Sequence, residues 1–309
     1  MDVHLRPFQP EDLSGVTRLL EVSDQVDGLA WPSIPSLWAR RLLTIEEDVQ
    51  KDARLAVTES GEIIGLCLLW PEAGTARPGG LEIRCPGTVH PRWRRQGIGD
   101  ALLSWASSRW PEIGGDFVSA RCKRDNQGAK VLFEKYGFRP MAFSWRMRRP
   151  PARVLPPTWP EGIQVRPFDR QRDADALRTA FRQVFSAPES PLTFSREQAW
   201  QDFDAAKRIP GSTTLAEADG RLVGFYHVRP CPWSLEEGEV YYWGVVEDWR
   251  RRGLGRALLA SALGDLAQMG YPSTVVEVVG REQSDIKHFR ILGFHEFDRV
   301  DWYTLPTAT

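Results

Sequence analysis

The strongest constraint on the fold of this chain is an internal repeat. Residues 93–103 read WRRQGIGDALL and residues 249–259 read WRRRGLGRALL, so the first glycines of the two motifs lie 156 positions apart. Three further pairs recur in the same order at nearly the same spacing: LRPF and VRPF at 5–8 and 165–168, GEIIG and GRLVG at 61–65 and 220–224, and Gly-Phe at 137–138 and 293–294. Four landmarks in one order predict a duplicated domain.

The length of the chain agrees with the repeat. A chain of 309 residues has room for two domains of roughly 100–200 residues each. The segment 149–162, RPPARVLPPTWPEG, carries five prolines, which exclude a continuous helix and favour a stiff, extended linker. We therefore predict an N-terminal domain at 1–149, a proline-rich linker at 150–162 and a C-terminal domain at 163–309.

Composition narrows the class of protein. The formal net charge is −1, so the overall charge attracts neither nucleic acid nor an anionic membrane surface, and any anion site must be local. No apolar run is long enough to span a membrane, and the N-terminal sequence lacks the pattern of a signal peptide. The four cysteines form no CxxC pair, which disfavours zinc and disulfides and favours a reducing cytoplasm. We expect a cytoplasmic protein without metal, nucleic-acid or membrane partners, and its oligomeric state is left open.

Each half reads as the same series of elements. A short strand precedes a helix, and after a variable, aromatic-bearing region comes a hairpin; its second copy turns at Asp219-Gly220, a pair suited to a two-residue loop. A strand then enters the arginine–glycine motif and a helix. A further strand, a helix ending before Gly-Phe and a closing strand follow. This order predicts a mixed α/β (α+β) fold in each half, with helices packed on a mostly antiparallel sheet.

The arginine–glycine motifs predict an anion site in each half. The first turn of a helix carries unpaired N–H groups and the positive end of the helix dipole, glycine leaves room for a phosphate, and arginines add donors for a pyrophosphate. A Rossmann loop is excluded because no third glycine follows Gly99 or Gly255 at the required spacing, and a Walker loop because no GK[ST] follows. A glycine-rich turn beside solvated arginines is the alternative without a ligand.

These motifs resemble the signature of the GNAT superfamily of acyl-CoA-dependent N-acyltransferases, [Q/R]xxGx[G/A] between a strand and a helix. The matching residues are Arg94, Arg95, Gln96, Gly97, Ile98 and Gly99 in the first half, and Arg250, Arg251, Arg252, Gly253, Leu254 and Gly255 in the second. The resemblance spans both halves and implies two tandem GNAT-like domains, an architecture similar to that of the mycothiol synthase family. Nothing in the sequence identifies a sugar–thiol substrate.

The resemblance implies a site for acetyl-CoA. The backbone amides of both loops would hold the CoA pyrophosphate, and the preceding strand would splay from its neighbour and pair with pantetheine and the acyl carbonyl. Further residues implied at this site are Thr88, Val89, Gly244 and Val245 at the strand ends, and Asn126, whose aligned position in the second half is Glu282. Arg256 would favour the pyrophosphate, and Asp100 would slightly oppose it.

The resemblance also implies a glutamate base on the strand before each glycine loop. Glu239 lies fourteen residues before Gly253, and Glu82 lies fifteen before Gly97. The extra residue, near Pro86-Gly87, would bulge the strand or turn Glu82 to the other face, which makes Glu239 the better candidate. We expect the second domain to be catalytic and the first to bind CoA, with catalysis in the first left open. A strand residue without a catalytic role is the alternative for either glutamate.

The usual acid of the family, a tyrosine four residues before the glycine of Gly-Phe, is replaced by Phe133 and Phe289. The resemblance implies direct attack on acetyl-CoA by a primary amine of a small-molecule or peptide acceptor, and no cysteine beside a recognisable base suggests a covalent route. Two alternatives are a non-catalytic acyl-CoA-binding or sensor protein, and one catalytic domain beside a structural one. The acceptor pocket is expected around the aromatic residues Trp31, Trp38, Phe194 and Trp200.

Overall fold

The protein divides into two compact units. The structure is a computed structural model that describes residues 3–27, 49–71, 81–185, 211–232 and 234–306. Unit 1 comprises Met1–Met141 together with Val300–Thr309, and unit 2 comprises Ala142–Arg299. These limits differ from the predicted domain limits, because the larger part of the closing strand of each sequence half, residues 142–149 and 300–306, belongs to the unit built by the other half. That the first repeated sequence ends at residue 149 and the second begins at residue 163 stays a prediction.

Unit 1 contains four of the described helices and most of the short strands. The helices are α1 (Leu13–Asp27), α2 (Val49–Asp52), α3 (Ile98–Ile113) and α4 (Gln127–Lys135). The strands are β1 (Val3–Pro7), β2 (Ala53–Thr58), β3 (Ile63–Leu68), β4 (Trp70–Pro71), β5 (Glu82–Arg84), β6 (Gly87–Val89) and β7 (Phe117–Lys123). The next strand, β8 (Arg139–Arg149), begins in unit 1 and ends in unit 2.

The strands of unit 1 form two ladders that share the apolar face of α3. In one ladder β2 pairs with β1 and β3, and β3 pairs with β6, all antiparallel. In the other, β5 pairs antiparallel with β4 and parallel with β7, and β7 pairs antiparallel with residues 300–306 of the last strand. Leu102, Ala106 and Trp110 on α3 pack into the core beside Ile64 and Ile83, as the helical spacing of three to four residues allows.

Unit 2 is a single sheet flanked by two long helices. Its strands are β9 (Gln164–Pro167), β10 (Ser212–Ala218), β11 (Arg221–Pro230), β12 (Glu237–Val245), β13 (Ser273–Gly280) and the start of β14 (His295–Pro306). Its helices are α5 (Arg170–Phe185), α6 (Leu254–Gln268) and α7 (Lys287–Ile291). Within the unit the hydrogen-bonded order is β8-β13-β12-β11-β10-β9, antiparallel except for the parallel pair β12–β13. The predicted mixed, mostly antiparallel fold is confirmed.

The predicted hairpin turn is present in unit 2. Ala218 pairs with Arg221, and the two residues between them, Asp219 and Gly220, have φ angles of 49° and 72°. Two positive φ angles in a two-residue loop match the twist of the strands that flank it. Residues 150–162 form no helix or strand, as the prolines predict. In the part of the chain that the structure describes, no helix is both long and apolar enough to cross a membrane.

The assignment of the closing strands can be tested by one buried aromatic residue in each. Tyr303 on β14 is buried in the core of unit 1 beside Phe133, with ring centroids 5.3 Å apart. Trp145 on β8 is buried in the core of unit 2, opposite Val278 on β13. We predict that Tyr303→Ala destabilises unit 1 and Trp145→Ala destabilises unit 2, each by about 3 kcal/mol, the usual cost of truncating a core aromatic residue.

Amide hydrogen exchange resolved by peptide measures this prediction. Tyr303→Ala should accelerate exchange in β7 more than in β13, and Trp145→Ala should do the reverse. The strand assignment would be wrong if each variant loosened mainly the half of the sequence in which it lies.

Candidate active site

Both arginine–glycine loops adopt the same unusual backbone conformation. Arg95 and Gly97 have φ angles of 63° and 85°, whereas Gln96 between them does not have a positive φ. Arg251 and Gly253 repeat this arrangement at 61° and 86°. A turn of this kind can point successive N–H groups into one concavity that favours anions. A non-glycine residue with positive φ is strained, so the repetition of this strain indicates a functional loop.

Each loop leads into an uncapped helix. The first helical hydrogen bonds run from the N–H groups of Ala101 and Ala257 to the carbonyls of Gly97 and Gly253. No side chain caps either N-terminus among the described residues. The N–H groups of the first turn therefore point toward the loop concavity as open donors beside the positive helix dipole.

The second glycine of each motif serves packing. A Cβ atom at Gly255 would lie 3.0 Å from Cζ2 of Trp243 and 3.6 Å from Cγ2 of Val245. A Cβ atom at Gly99 would lie 3.3 Å from Cδ2 of Leu132. The helix thus lies close to the strand before the loop, which brings its N-terminus beside that strand. The first glycine is required for its φ angle instead, since a Cβ atom at Gly97 or Gly253 would meet nothing within 4 Å.

The first arginine of each motif holds the loop to the preceding strand. Nε of Arg94 donates to the carbonyl of Val89 at 3.0 Å, and Nε of Arg250 donates to that of Val245 at 3.4 Å. Arg94 also forms a bidentate ion pair with Asp27, at 2.6 and 2.9 Å. Arg94 was predicted to bind the cofactor, but the structure shows its guanidinium group in contact with protein groups.

The remaining polar and charged side chains of the motifs lie at the loop surface. Arg95, Gln96, Arg251, Arg252 and Arg256 are exposed, and the guanidinium of Arg252 lies over the Trp249 ring at 4.9 Å. The predicted opposition of Asp100 to an anion is weakened, because Lys135 forms an ion pair with it. The hydrogen bond that Lys135 donates within this ion pair lowers the pKa of the exposed Asp100 carboxyl.

The strand before the second loop splays from its parallel neighbour as the resemblance implies. β12 pairs with β13 only from Glu237 to Val240, although β12 continues to Val245 and β13 to Gly280. On its other edge β12 stays paired with β11, but the register shifts by one residue at Tyr241, because Val240 pairs with Val228 and Tyr242 pairs with His227. Tyr241 therefore forms a β-bulge, which bends a strand away from its regular ladder. The fork opens beside this bulge.

The first unit makes its fork by a break in the strand. The N–H of Cys85 donates to the carbonyl of Ser119 on β7, whereas the carbonyl of the next residue, Pro86, accepts from Leu68 on β3. The chain thus changes its pairing partner from β7 to β3 within two residues. β6 then continues along β3 while β7 runs on without it.

The two residues predicted at each strand end face opposite edges. The N–H of His90 donates to Ile64 and that of Val246 to Val223, and hydrogen bonding alternates along an antiparallel ladder. Thr88 and Gly244 therefore direct their backbone groups to the neighbouring strand. The backbone groups of Val89 and Val245 face the open edge of the fork, where a ligand could pair with their N–H groups.

Glu239 lies one residue before the end of the parallel pairing in unit 2, at the base of the fork. Its carboxylate is only 5 % exposed, and its Oε2 accepts from Nε of Arg229 at 2.6 Å. Burial raises the pKa of Glu239 above its ordinary value, although the charge and the hydrogen bond of Arg229 oppose this rise. A carboxyl group with a raised pKa, next to a fork that can admit a ligand, is suited to general base chemistry.

Glu82 does not occupy the position of Glu239 in unit 1. In the ladder Glu82 lies opposite Phe117, and its equivalent is Glu237, which lies opposite Ser273. Phe117 and Ser273 are 156 positions apart, the spacing of the two glycine motifs. Glu82 is fully buried and accepts a hydrogen bond from Ser119.

The position equivalent to Glu239 holds Arg84. Arg84 pairs with Trp70 across β4–β5 just as Glu239 pairs with Arg229 across β11–β12. The prediction of one extra residue in the first half, near Pro86-Gly87, is therefore wrong. The extra residue lies in the second half and is Tyr241. Counting back from the glycine could not reveal this, since a bulge adds a residue without moving the ladder on either side.

The remaining predicted residues have mainly structural contacts. Phe289 is buried between Trp243 and Phe294, with ring centroids 5.6 and 5.7 Å away, and Phe133 packs against Tyr303. Neither position supplies an acid. Asn126 caps α4, its Oδ1 accepting from the N–H of Ala129 at 3.0 Å. Trp31, Trp38, Phe194 and Trp200 lie outside the described residues.

Sequence reasoning missed Arg229 and Tyr241. The signal for Arg229 is its separation of ten residues from Glu239, which permits a contact across a hairpin. No sequence signal marks Tyr241 as the bulged residue. Within the described residues, no group of three or more His, Cys, Asp or Glu side chains could hold a metal ion.

The sequence of each half matches a family of acetyltransferases. The Acetyltransferase (GNAT) family matches residues 174–294, and the Acetyltransferase (GNAT) domain matches residues 51–140. The mycothiol acetyltransferase of Thermomonospora curvata is 30% identical over 303 residues, covering 95% of this chain and 94% of the relative. That of Salinispora arenicola is 32% identical over 235 residues, covering 72% and 71%.

Solved structures show the same tandem fold. A GCN5-related N-acetyltransferase from Sphaerobacter thermophilus matches with a TM-score of 0.78 and 23% identity, covering 98% of this chain and 95% of that one. A tandem GNAT protein from the clavulanic acid biosynthesis pathway matches with a TM-score of 0.73 and 16% identity, covering 100% and 99%.

The conformational requirement at the first glycine can be tested in unit 2. We predict that Gly253→Ala lowers the free energy of unfolding by about 1–2 kcal/mol, because a Cβ atom is unfavourable at its φ of 86°. Gly264, within α6, is the matched control, since a Cβ atom there meets nothing within 4 Å. Gly264→Ala should instead raise stability by roughly 0.5–1 kcal/mol. Denaturant unfolding measures both, and equal effects of the two substitutions would contradict the requirement.

Proposed function

This chain belongs to the GNAT acetyltransferase family, and we propose that its unit 2 transfers an acetyl group from acetyl-CoA to a primary amine with Glu239 as general base. The observation that carries the assignment is the buried Glu239 carboxylate at the base of the fork between β12 and β13. Unit 2 combines this carboxylate with an intact glycine loop. Unit 1 has a glycine loop of the same shape but an arginine in place of the base.

The binding part of the proposal rests on the loop before α6. Its converging N–H groups and the uncapped helix N-terminus would bind the pyrophosphate of CoA. Arg251 and Arg256, both exposed, would add positive charge there. The N–H of Val245 would pair with the pantetheine arm along the open edge of the fork. The acyl end would then lie toward the bulge at Tyr241 and the carboxylate of Glu239.

The chemical part of the proposal rests on proton transfer. An alkylamine is protonated near neutral pH and cannot attack a carbonyl carbon until it loses that proton. Glu239 would accept the proton directly or through a water molecule. The amine nitrogen then bonds to the thioester carbon, the carbon–sulfur bond breaks, and CoA leaves as a thiolate. Because Phe289 replaces the usual acid, this thiolate would take its proton from water.

Unit 1 is proposed to bind CoA without transferring an acyl group. Arg95 and Gly97 have nearly the same φ angles as Arg251 and Gly253, so the anion site is duplicated. Arg84, however, occupies the position of the base, and the buried Glu82 lies two residues before it on the same strand. Unit 1 would thus only bind CoA, whereas unit 2 would bind acetyl-CoA and transfer the acetyl group.

The acceptor and the location of the reaction belong to the same proposal. The relatives with the name mycothiol acetyltransferase span both halves, so the amine acetylated in making mycothiol is the first acceptor to test. We place this reaction in the cytoplasm. A non-catalytic acyl-CoA-binding or sensor protein is the second candidate, favoured by phenylalanine at both acid positions.

The base assignment predicts the effect of one isosteric change. Glu239→Gln keeps the size of the side chain but cannot accept a proton, so turnover should fall about a hundredfold or more. CoA affinity should stay nearly unchanged, and a higher pH should partly restore the rate by supplying free amine. Steady-state kinetics with acetyl-CoA and an amine panel, beside calorimetry with CoA, measure these quantities.

Glu82→Gln is the matched control for this prediction. Glu82 is as buried as Glu239 but lies at a different ladder position, so its loss should change turnover little in protein that remains folded. Activity that survives Glu239→Gln but is lost in Glu82→Gln would show that unit 1, and not unit 2, carries out the chemistry. CoA binding without acetyl transfer to any amine would favour the sensor.

The duplicated anion site predicts two CoA molecules per chain. Gly97→Glu and Gly253→Glu each place a carboxylate where one pyrophosphate would bind, so each should remove one of about two sites. Only Gly253→Glu should abolish turnover. Calorimetric titration gives the stoichiometry, and a wild-type value of one that Gly97→Glu leaves unchanged would exclude unit 1 as a CoA site.

A further inference from the structure

A buried arginine holds the proposed base. Arg229 on β11 lies opposite Glu239 on β12, and its Nε donates to the carboxylate at 2.6 Å. The two side chains are 10 % and 5 % exposed, so this is a charge pair largely removed from water. One oxygen of Glu239 is engaged by Arg229, which fixes the orientation of the carboxylate and of its other oxygen.

The same arginine contacts the bulge that opens the fork. The guanidinium carbon of Arg229 lies 3.4 Å from the centroid of the Tyr241 ring, a stacked cation–π arrangement. Tyr241 is the extra residue at the register shift between Val240 and Tyr242. Arg229 therefore joins the carboxylate to the one place where β12 departs from its regular path.

Unit 1 lacks this arrangement as a whole. At the equivalent positions Trp70 replaces Arg229 and Arg84 replaces Glu239, and a strand break at Cys85-Pro86 takes the place of the bulge. The glycine loop, in contrast, is retained in both units. Loss of all three features together, beside a retained anion site, indicates that the three act together in unit 2.

We infer that Arg229 is a positioning residue for acetyl transfer, one that orients the Glu239 carboxylate and holds the Tyr241 bulge beside it. The inference rests on the proposed role of Glu239. Arg229 does not touch the reacting atoms and acts through Glu239 and Tyr241. Its planar, forked guanidinium can hydrogen-bond a carboxylate at one edge while stacking on a ring with its face, which a lysine cannot do.

The charges around Glu239 make the pH dependence a specific readout. Across the ladder, the charged and titratable groups that face Glu239 or flank it are His227 and Arg229 on β11, Glu237 and Tyr241 on β12, Glu277 on β13, and Arg146 and Arg148 on β8. Arg148 pairs with Glu237 and Arg146 with Asp298. Burial and the charge of Glu277 raise the pKa of Glu239, and Arg229 lowers it.

The experiment compares the pH profiles of kcat/KM for wild type, Arg229→Met and Arg229→Lys with acetyl-CoA and an amine acceptor. Arg229→Met removes the charge at similar length, so the acid limb, where Glu239 must be ionised, should move upward by about one to three pH units. Arg229→Lys keeps the charge but loses the fork and the stack. Its acid limb should move less, while its kcat falls at least about tenfold and its KM for acetyl-CoA stays within about twofold.

Arg148→Met is the matched control. It removes a cation from the same sheet face, but one that pairs with Glu237, so the acid limb should stay at its wild-type position. The inference is overturned if folded Arg229→Met leaves the limb unmoved, or if Arg229→Lys retains the wild-type kcat. If Arg229→Met does not fold, the result for Arg229→Lys decides alone.

The outcomes separate this inference from the proposed function. If Glu239→Gln kept the wild-type turnover, Glu239 would not be the base, and Arg229 would have no base to position. Loss of activity in Glu239→Gln together with an unmoved limb in Arg229→Met would leave the base in place and overturn only the positioning role.

Discussion

The candidate site depends on one constraint: two parallel strands must pair at one end and separate at the other. In unit 2 the pairing of β12 with β13 ends at Val240, and the bulge at Tyr241 accommodates the change of direction while β12 stays bonded to β11. Everything proposed about the site follows from this fork. It separates the backbone of Val245 from β13, places the loop before α6 at the open end, and leaves Glu239 at the closed end.

The duplicated halves show which features of the site vary independently. The glycine loops have φ angles within a few degrees of each other, and the second glycine of each motif packs against the strand or helix beside it. The position of the proposed base, in contrast, differs in charge sign between the halves, with Glu239 in one and Arg84 in the other. An anion site made of backbone tolerates changes of side chain nearby, whereas proton transfer requires one particular group.

Each unit is completed by a strand segment that comes from the other half of the sequence. Residues 142–149 complete the sheet of unit 2, and residues 300–306 pair with β7 of unit 1. A unit whose closing strand is absent would expose the unpaired edge of β7 or β13 and leave Tyr303 or Trp145 outside its core. Neither repeated sequence therefore contains all of the strands that its own unit needs.

The sequence by itself determined the duplication, the element order, the two glycine loops and the two-residue turn at Asp219-Gly220, because each depends on neighbouring residues or on a repeat visible in the sequence. It also singled out Glu239. Tertiary structure decided what depends on register and on contacts distant along the chain: the exchange of closing strands, the pairing of Arg94 with Asp27, and the stacking of Arg229 on Tyr241. Glu82 illustrates the limit, since one bulged residue in the other half changes which positions are equivalent, and the bulge at Tyr241 has no signature in the sequence.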